Sequence, residues 1–318
     1  MMTTRGSIFS GLILAVLALP ALAADPALMQ LVPPDAAVVG GMNLEQAKAS
    51  PLGQFLLKQV PFEDEGMRKM MEATGFDPRR DLREVVVATR APMGPKHDNG
   101  LVVASGSFDP GRLTAMAKTL GVAPSNYAGV EVFTSQGPHA GWFAFLSPSL
   151  AVAGTADLVQ AAIDRYKQGG GGLNPAMAAK AAEWSAKSDA WLVTAGSPAD
   201  WARRAAPASR TGGPMQSVPL EAIEQSAAGL KFGATITITV EAVARTDKDA
   251  QALADVLKFV AGMVQLNRNK VESAEVAALL DSMQLKAEAR TVSLGFSVPE
   301  SQLEKMIETS RAKKGCAT

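Results

Sequence analysis

Four seven-residue runs, AAVVGGM (36–42), EVVVATR (84–90), LVVASGS (101–107) and DAWLVTA (189–195), constrain this chain more than any other feature. Each is built mainly from Val, Ala, Leu and small residues and is too short for a buried helix, so each reads as a strand inside a sheet. The second and third are separated by APMGPKHDNG, whose Pro, Gly, Asp and Asn residues predict the loop of a hairpin.

The segments between these runs follow an order that occurs twice. After strand 36–42 come helical stretches at 51–60 and 65–74, the hairpin, a helix at 110–120, strands at 130–134, 142–146 and 150–153, and a helix at 156–166. The glycine run Gly169–Gly172 and the pair Asn174-Pro175 then break the chain. Beyond them the order returns: strand 189–195, a helix at 198–205, the loose stretch 205–219, a helical piece at 220–225 and two strands within 229–244. A helix at 248–266, helical residues 272–282, a strand pair within 284–297 and a helix at 300–311 complete it. This order predicts an α+β fold, a duplicated unit whose mostly antiparallel sheet is covered by helices on one face. The expected parts are a first half over 24–168, a Gly-rich linker and helix over 169–187, and a second half over 188–318.

Residues 1–23 have the layout of a secretory signal peptide: one positive charge at Arg5, an apolar run from Ile8 to Leu19, then Pro20 and Ala21-Leu22-Ala23, with the cut expected before Ala24. The run is short for a span, which needs about 20 apolar residues. No cysteine stands at the cut to carry a lipid anchor. The expectation is an exported chain, periplasmic or extracellular and soluble after cleavage.

The chain has 31 basic and 31 acidic residues, and losing Arg5 with the leader leaves 30 against 31. Such neutrality argues against a nucleic-acid partner, which calls for a basic excess or face. The cluster Arg311, Lys313 and Lys314 lies in the C-terminal tail, as does the only cysteine, Cys316, so no internal disulfide can form.

Five pairs share one spelling: Ser50-Pro51, Asp77-Pro78, Asp109-Pro110, Asn174-Pro175 and Ser197-Pro198. A capping side chain before proline predicts a helix start, because the cap accepts a first-turn N–H and proline has none to leave unpaired. GFDPRRDL (75–82) and SFDPGRL (107–113) are two copies of this signal, with Asp77 and Asp109 as caps and Phe76 and Phe108 as staples against the helices they introduce. Arg79 and Arg80 are then expected in solvent or in weak pairs with Asp81 or Glu84. They are also the first candidates for contact with an anion or partner, together with Trp201, Arg203 and Arg204.

The stretches LVPPDAAVVGGMNLEQAKASPLGQF, GFDPRRDLREVVVA and GWFAFLSPSLAVAGTADLVQAAIDRY make the first half resemble a class of exported bacterial proteins of unknown function. The resemblance implies export and the α+β layout, and it implies no activity for particular residues.

Chemistry-bearing motifs are scarce. There is no G-x-S-x-G elbow, Walker loop or G-x-G-x-x-G after a strand, and Ser310-x-x-Lys313 lacks the motifs that accompany it in penicillin-binding enzymes. His97 and His139 lie in separate turns, so zinc would require those turns to meet. Met67, Met70 and Met71 offer thioethers that suit Cu(I), although methionine on a helix is the usual filler of an apolar core. No catalytic, cofactor-binding or metal residue is assigned. The leading expectation is an exported non-catalytic module that binds an envelope protein, another envelope component or a small ligand. The alternatives are an enzyme whose site assembles only in the fold, and copper handling through the three methionines.

Overall fold

β1 (Val38–Asn43) is an early strand of the chain and lies near the middle of its sheet. The computed structural model describes residues 24–58, 68, 71–72, 75–90, 100–119, 124–134, 141–197, 220–266, 281–305 and 307. Within them β1 pairs antiparallel with β2 (Leu82–Thr89) on one side and with β8 (Ala190–Ala195) on the other. From β2 the sheet continues through β3 (Gly100–Gly106), β7 (Leu150–Gly154), β6 (Trp142–Ser147), β5 (Val130–Thr134) and β4 (Ser125–Tyr127). From β8 it continues through β9 (Ile223–Lys231), β10 (Thr235–Ala244), β12 (Thr291–Pro299) and β11 (Gln284–Glu288). All twelve strands belong to this one sheet, and every recorded pairing is antiparallel.

The described residues include the helices α1 (Pro26–Met29), α2 (Leu44–Ala49), α3 (Pro51–Lys58), α4 (Pro78–Asp81), α5 (Pro110–Thr119), α6 (Ala156–Gln168), α7 (Pro175–Lys187) and α8 (Asp247–Leu266), and residues 300–305 are helical as well. The cap-proline spelling is realised at four of the five predicted sites. Ser50 Oγ accepts from Gly53 N–H, Asp77 from Arg79, Asp109 from Arg112 and Asn174 from Met177, at 2.9 to 3.1 Å. The same spelling at Asp25-Pro26, not singled out from the sequence, starts α1. At the fifth site Pro198 lies outside the described residues, and the Ser197 hydroxyl donates to the Leu220 carbonyl at 2.6 Å. α3 gains a distant partner as well: Glu300, buried where β12 ends, accepts from Leu52 N–H at the positive end of that helix.

The register shows which side chains share a face. Gly41 stands opposite Val86 and Trp191, Val86 opposite Val103, and Val103 opposite Val152. α6 and α7 pack on this side, where Val159, Ile163, Ala181 and Trp184 join Val39, Val86, Val103 and Val193 in the main core. Val38 begins the other side, in line with Thr194, Ser226, Ala242 and Val292. There Ala250, Leu253 and Ala254 of α8 pack near Val292, and Leu52 of α3 packs on Ile236 and Val298. Helices therefore lie on both faces, which corrects the expectation of a single covered face. The reason is visible in EVVVATR, whose consecutive valines place apolar groups on both sides of the strand.

One other expectation fails locally, and one strand was not expected. Residues 220–225 were expected to be helical, yet only Leu220–Ala222 form a 3-10 turn, and Ile223 already begins β9. Pairing of Gln225 with Ala195 and of Ala227 with Val193 overrides the local helical pattern. β4, an edge strand of three residues, carries too little pattern to be foreseen. The helices expected at 65–74 and 272–282 are described only at residues 68, 71–72 and 281, that at 198–205 lies outside the described residues, and that at 300–311 is described through 305 and at 307.

α7 can approach the sheet closely because Gly229 lacks a side chain, and Gly41 makes similar room for Trp191 of β8. The Trp191 ring lies across Gly41, and a Cβ on Gly229 would stand 2.8 Å from Trp184 Cε3 and 2.1 Å from Ser188 Oγ. Trp184 is fully buried there, a contribution on the order of 1.5–3 kcal/mol. Gly229→Ala is expected to cost about 1–3 kcal/mol through overpacking. Gly233→Ala, where a Cβ would meet only Thr235 O at 3.5 Å, should stay within about 0.5 kcal/mol of wild type. Urea unfolding of the two variants reads the difference.

Candidate functional site

The two FDP segments, distant in sequence, meet in space. Ser107 N–H donates to Asp81 O at 2.8 Å, and the Phe76 and Phe108 rings lie 5.7 Å apart. Phe108 also touches Phe145 on β6, so these phenylalanines join the two segments to each other and to the sheet. Between the segments lies a shallow cavity of about 190 Å³ bordered by Gly75, Arg80, Ser107, Asp109 and Arg112.

The charges around this cavity are already paired. Arg79 forms two hydrogen bonds with its own cap, Asp77, a pair not expected from the sequence. Arg80 grips Asp81 through two nitrogens and also donates to Gly75 O, while Arg112 pairs with Asp109 at 3.3 Å. Asp81 accepts from Asp77 N–H at 2.7 Å, so the turn is closed at both ends. The Arg79 hydrogen bond holds Asp77 below the ordinary carboxylate range, and Arg80 does the same for Asp81. Lys48 of α2 ties the turn from outside by donating to Leu82 O and Arg80 O, and its burial lowers its pKa. With three arginines matched by three aspartates, the junction is a self-satisfied polar clasp, and an incoming anion would have to displace carboxylates.

Of the remaining sequence candidates only Met71 is described, and its carbonyl accepts from Gly75 N–H at the cavity edge at 2.8 Å. Trp201, Arg203, Arg204, Met67, Met70, His97, His139 and Cys316 lie outside the described residues, and Met71 is a partly exposed helical residue. Among the described residues no group of three or more His, Cys, Asp or Glu side chains could hold a metal ion.

A different surface stands out, on the α3 and α8 side of the sheet. From Phe143 on β6 the register leads to Ala153, Val102, Val87 and Gly40. From Gly40 it leads on to Leu192, Ala228, Val240, Leu294 and, on β11, Leu285. This is one apolar row across ten strands, and none of its members is buried. Val102 is 37% exposed, Leu192 40% and Val240 39%, whereas their strand neighbours Val103 and Val193, on the α6/α7 side, are fully buried. At the centre of the row Leu192 leans over Gly40, with Cδ1 3.0 Å from where a Cβ would be. The nearest hydroxyls along β8 and β9, Thr194 and Ser226, satisfy each other at 2.7 Å. Interior strands have their backbone groups committed to the ladder, so this surface offers dispersion and the exclusion of water.

On the opposite face, beyond α7, strands β10, β12 and β11 present Thr239, Ser293, Gln284 and Lys286 around two hollows of about 320 and 410 Å³. These groups are exposed or half-exposed, and Lys180 of α7 contacts Glu241 beside them.

No protein-family model and no curated protein matches the chain. A solved structure, crystal form III of TP0453, aligns with a TM-score of 0.53 at 12% identity, covering 90% of this chain and 99% of that one. The chain shares its fold with TP0453. Crystal form I of the same protein aligns at a TM-score of 0.48 and 11% identity, over 90% of this chain and 98% of that one. Among the described residues no helix is long and apolar enough to cross a membrane.

The sequence reading missed the apolar row. Its signal was present in LVVASGS and DAWLVTA, where Val102 and Leu192 are apolar at positions next to the core residues Val103 and Val193. Periodicity shows that both faces are apolar and leaves open which one a helix covers.

For the clasp, Asp81→Asn should lower stability by about 1 kcal/mol near neutral pH, through a weakened hydrogen bond to Asp77 N–H and the loss of the ion pair. Because the folded pKa of Asp81 is depressed, its contribution is present above the ordinary carboxylate range and is lost as pH falls through the lower folded value. The gap between wild type and variant should therefore close below about pH 3 to 4, which a melting-temperature series against pH measures.

Proposed function

We propose that this protein is an exported, non-catalytic binding module whose ligand is an apolar chain, such as the acyl chain of an envelope lipid, laid along the open face of the sheet. The single observation that carries this reading is the row through Val102, Gly40, Leu192 and Val240, left uncovered on the face opposite the main core, where Val39, Val103 and Val193 of β1, β3 and β8 are fully buried. From β3 to β10 the row crosses six strands, about 24 Å at the usual strand spacing. That exceeds the ~15 Å depth of one leaflet's hydrocarbon, so the row has room for an extended acyl chain. An acyl chain needs no hydrogen-bond partner, and this surface presents none. A peptide adding as a further strand would need a free sheet edge, and the row runs through strands paired on both sides.

The leader-like segment 1–23 and the near-neutral charge support the exported part of the reading. A duplicated origin is part of the same proposal. Going outward from the centre, β1-β2-β3-β7-β6 and β8-β9-β10-β12-β11 each place a first strand, a strand pair and then a later hairpin entered by its second member. Two units meeting at β1 and β8 would make each half, 24–168 and 188–318, contribute half of the row.

The mature chain is expected to bind a fluorescent fatty acid, and Leu192→Glu or Val240→Glu should weaken that binding at least about tenfold. Both side chains are already exposed, so stability should change by no more than about 0.5 kcal/mol. A wild-type protein that neither binds the probe nor retains lipid on purification would sink the proposal. Binding unaffected by both variants would place the ligand elsewhere.

A further inference from the structure

The main core begins only four residues beyond the expected cut. Leu28, Leu31 and Val32 are buried, Asp25 caps α1, and Arg165 of α6 donates twice to Leu31 O, at 2.6 and 3.2 Å. Ala24 itself is half-buried and packs against that core. Beside it on β2 sits Glu84, a partly buried carboxylate whose Oε2 accepts from Asp25 N–H at 3.1 Å.

Glu84 is held in an unfavourable setting. Burial and the neighbouring Asp25 carboxylate both push its pKa up, and the Asp25 N–H is the group that opposes them. Among the described residues no cation figures among the groups acting on it. A carboxylate desolvated in this way gains more from a nearby positive charge than an exposed one does.

We infer that leader removal supplies that charge: the α-ammonium freed at Ala24 pairs with the Glu84 carboxylate and completes the N-terminal anchor of the fold. The Ala24 and Asp25 nitrogens are separated by one residue's backbone, so the ammonium falls within about 7 Å of the carboxylate, and rotation about a single bond brings it closer. Before cleavage the same nitrogen is a neutral amide and brings no charge to Glu84. Proteolysis is then part of the stability of the mature protein as well as its release from the leader. The inference rests on the exported reading above, specifically on a cut before Ala24.

The test compares three forms of the mature chain: one beginning at Ala24, one acetylated at Ala24, and one carrying a Gly-Ser extension ahead of it. The free Ala24 form should melt about 2–4 °C above the other two. In a Glu84→Gln background the three should melt together. Equal melting in the wild-type background, or a difference that persists in Glu84→Gln, overturns the pairing. These measurements use defined N-termini and do not depend on export. The intact mass of the chain recovered from an exporting cell checks the cut separately, and a start other than Ala24 overturns that assignment.

Discussion

Everything in this structure hangs on the ladder between β1 and β8. Five residue pairs, from Val38 opposite Thr194 to Met42 opposite Ala190, join two long stretches of chain into one sheet. Asn43 N–H extends the seam to Asp189 O, and Ala195 N–H extends it the other way to Ala37 O. Asp189 is buried at the end of the seam, where its carboxylate receives Lys231 and Phe232 N–H, both at 2.7 Å. Without this ladder the sheet would end in two central edges, the main core would lose the link between Val39 and Val193, and the apolar row would stop at Gly40.

The seam also explains the glycines of the first strand. Gly40 and Gly41 lie side by side and point to opposite faces, and each is overlain by a side chain of β8. Leu192 covers Gly40 on the open face, and Trp191 covers Gly41 on the packed one. A pair of small residues in β1 thus makes room for a pair of large ones in β8, a complementarity that agrees with the register set by the hydrogen bonds. On one face this complementarity fills the core, and on the other it leaves a leucine standing over a nearly smooth floor.

Much of this was legible in the sequence, for identifiable reasons. Strands such as 130–134 and 150–153, the latter one residue longer in the structure, were readable because short apolar runs between turn residues have few alternatives, and helix starts because a cap followed by proline has a local physical meaning. The role of GFDPRRDL as a helix start was likewise readable, since a cap and the backbone N–H it accepts from are neighbours in sequence. Its meeting with SFDPGRL was not, because that contact depends on β2 pairing with β3 and on Pro148 O receiving Phe108 N–H. Nor was the covering of each face, since a run such as EVVVATR offers valine to both sides and only the path of the helices decides which side is sealed.

The position of β1 has a consequence for how the chain reaches this state. A strand formed from residues 38–43 finds one neighbour at 82–89 and the other only at 190–195, so its second edge stays open while about 150 further residues are added or threaded. During that interval an apolar strand edge is exposed to any other chain nearby. The middle of the sheet thus closes only after the whole of the first half has been made. Its assembly is governed by the arrival of a late segment, so the early half of the protein waits, half-built, for the rest.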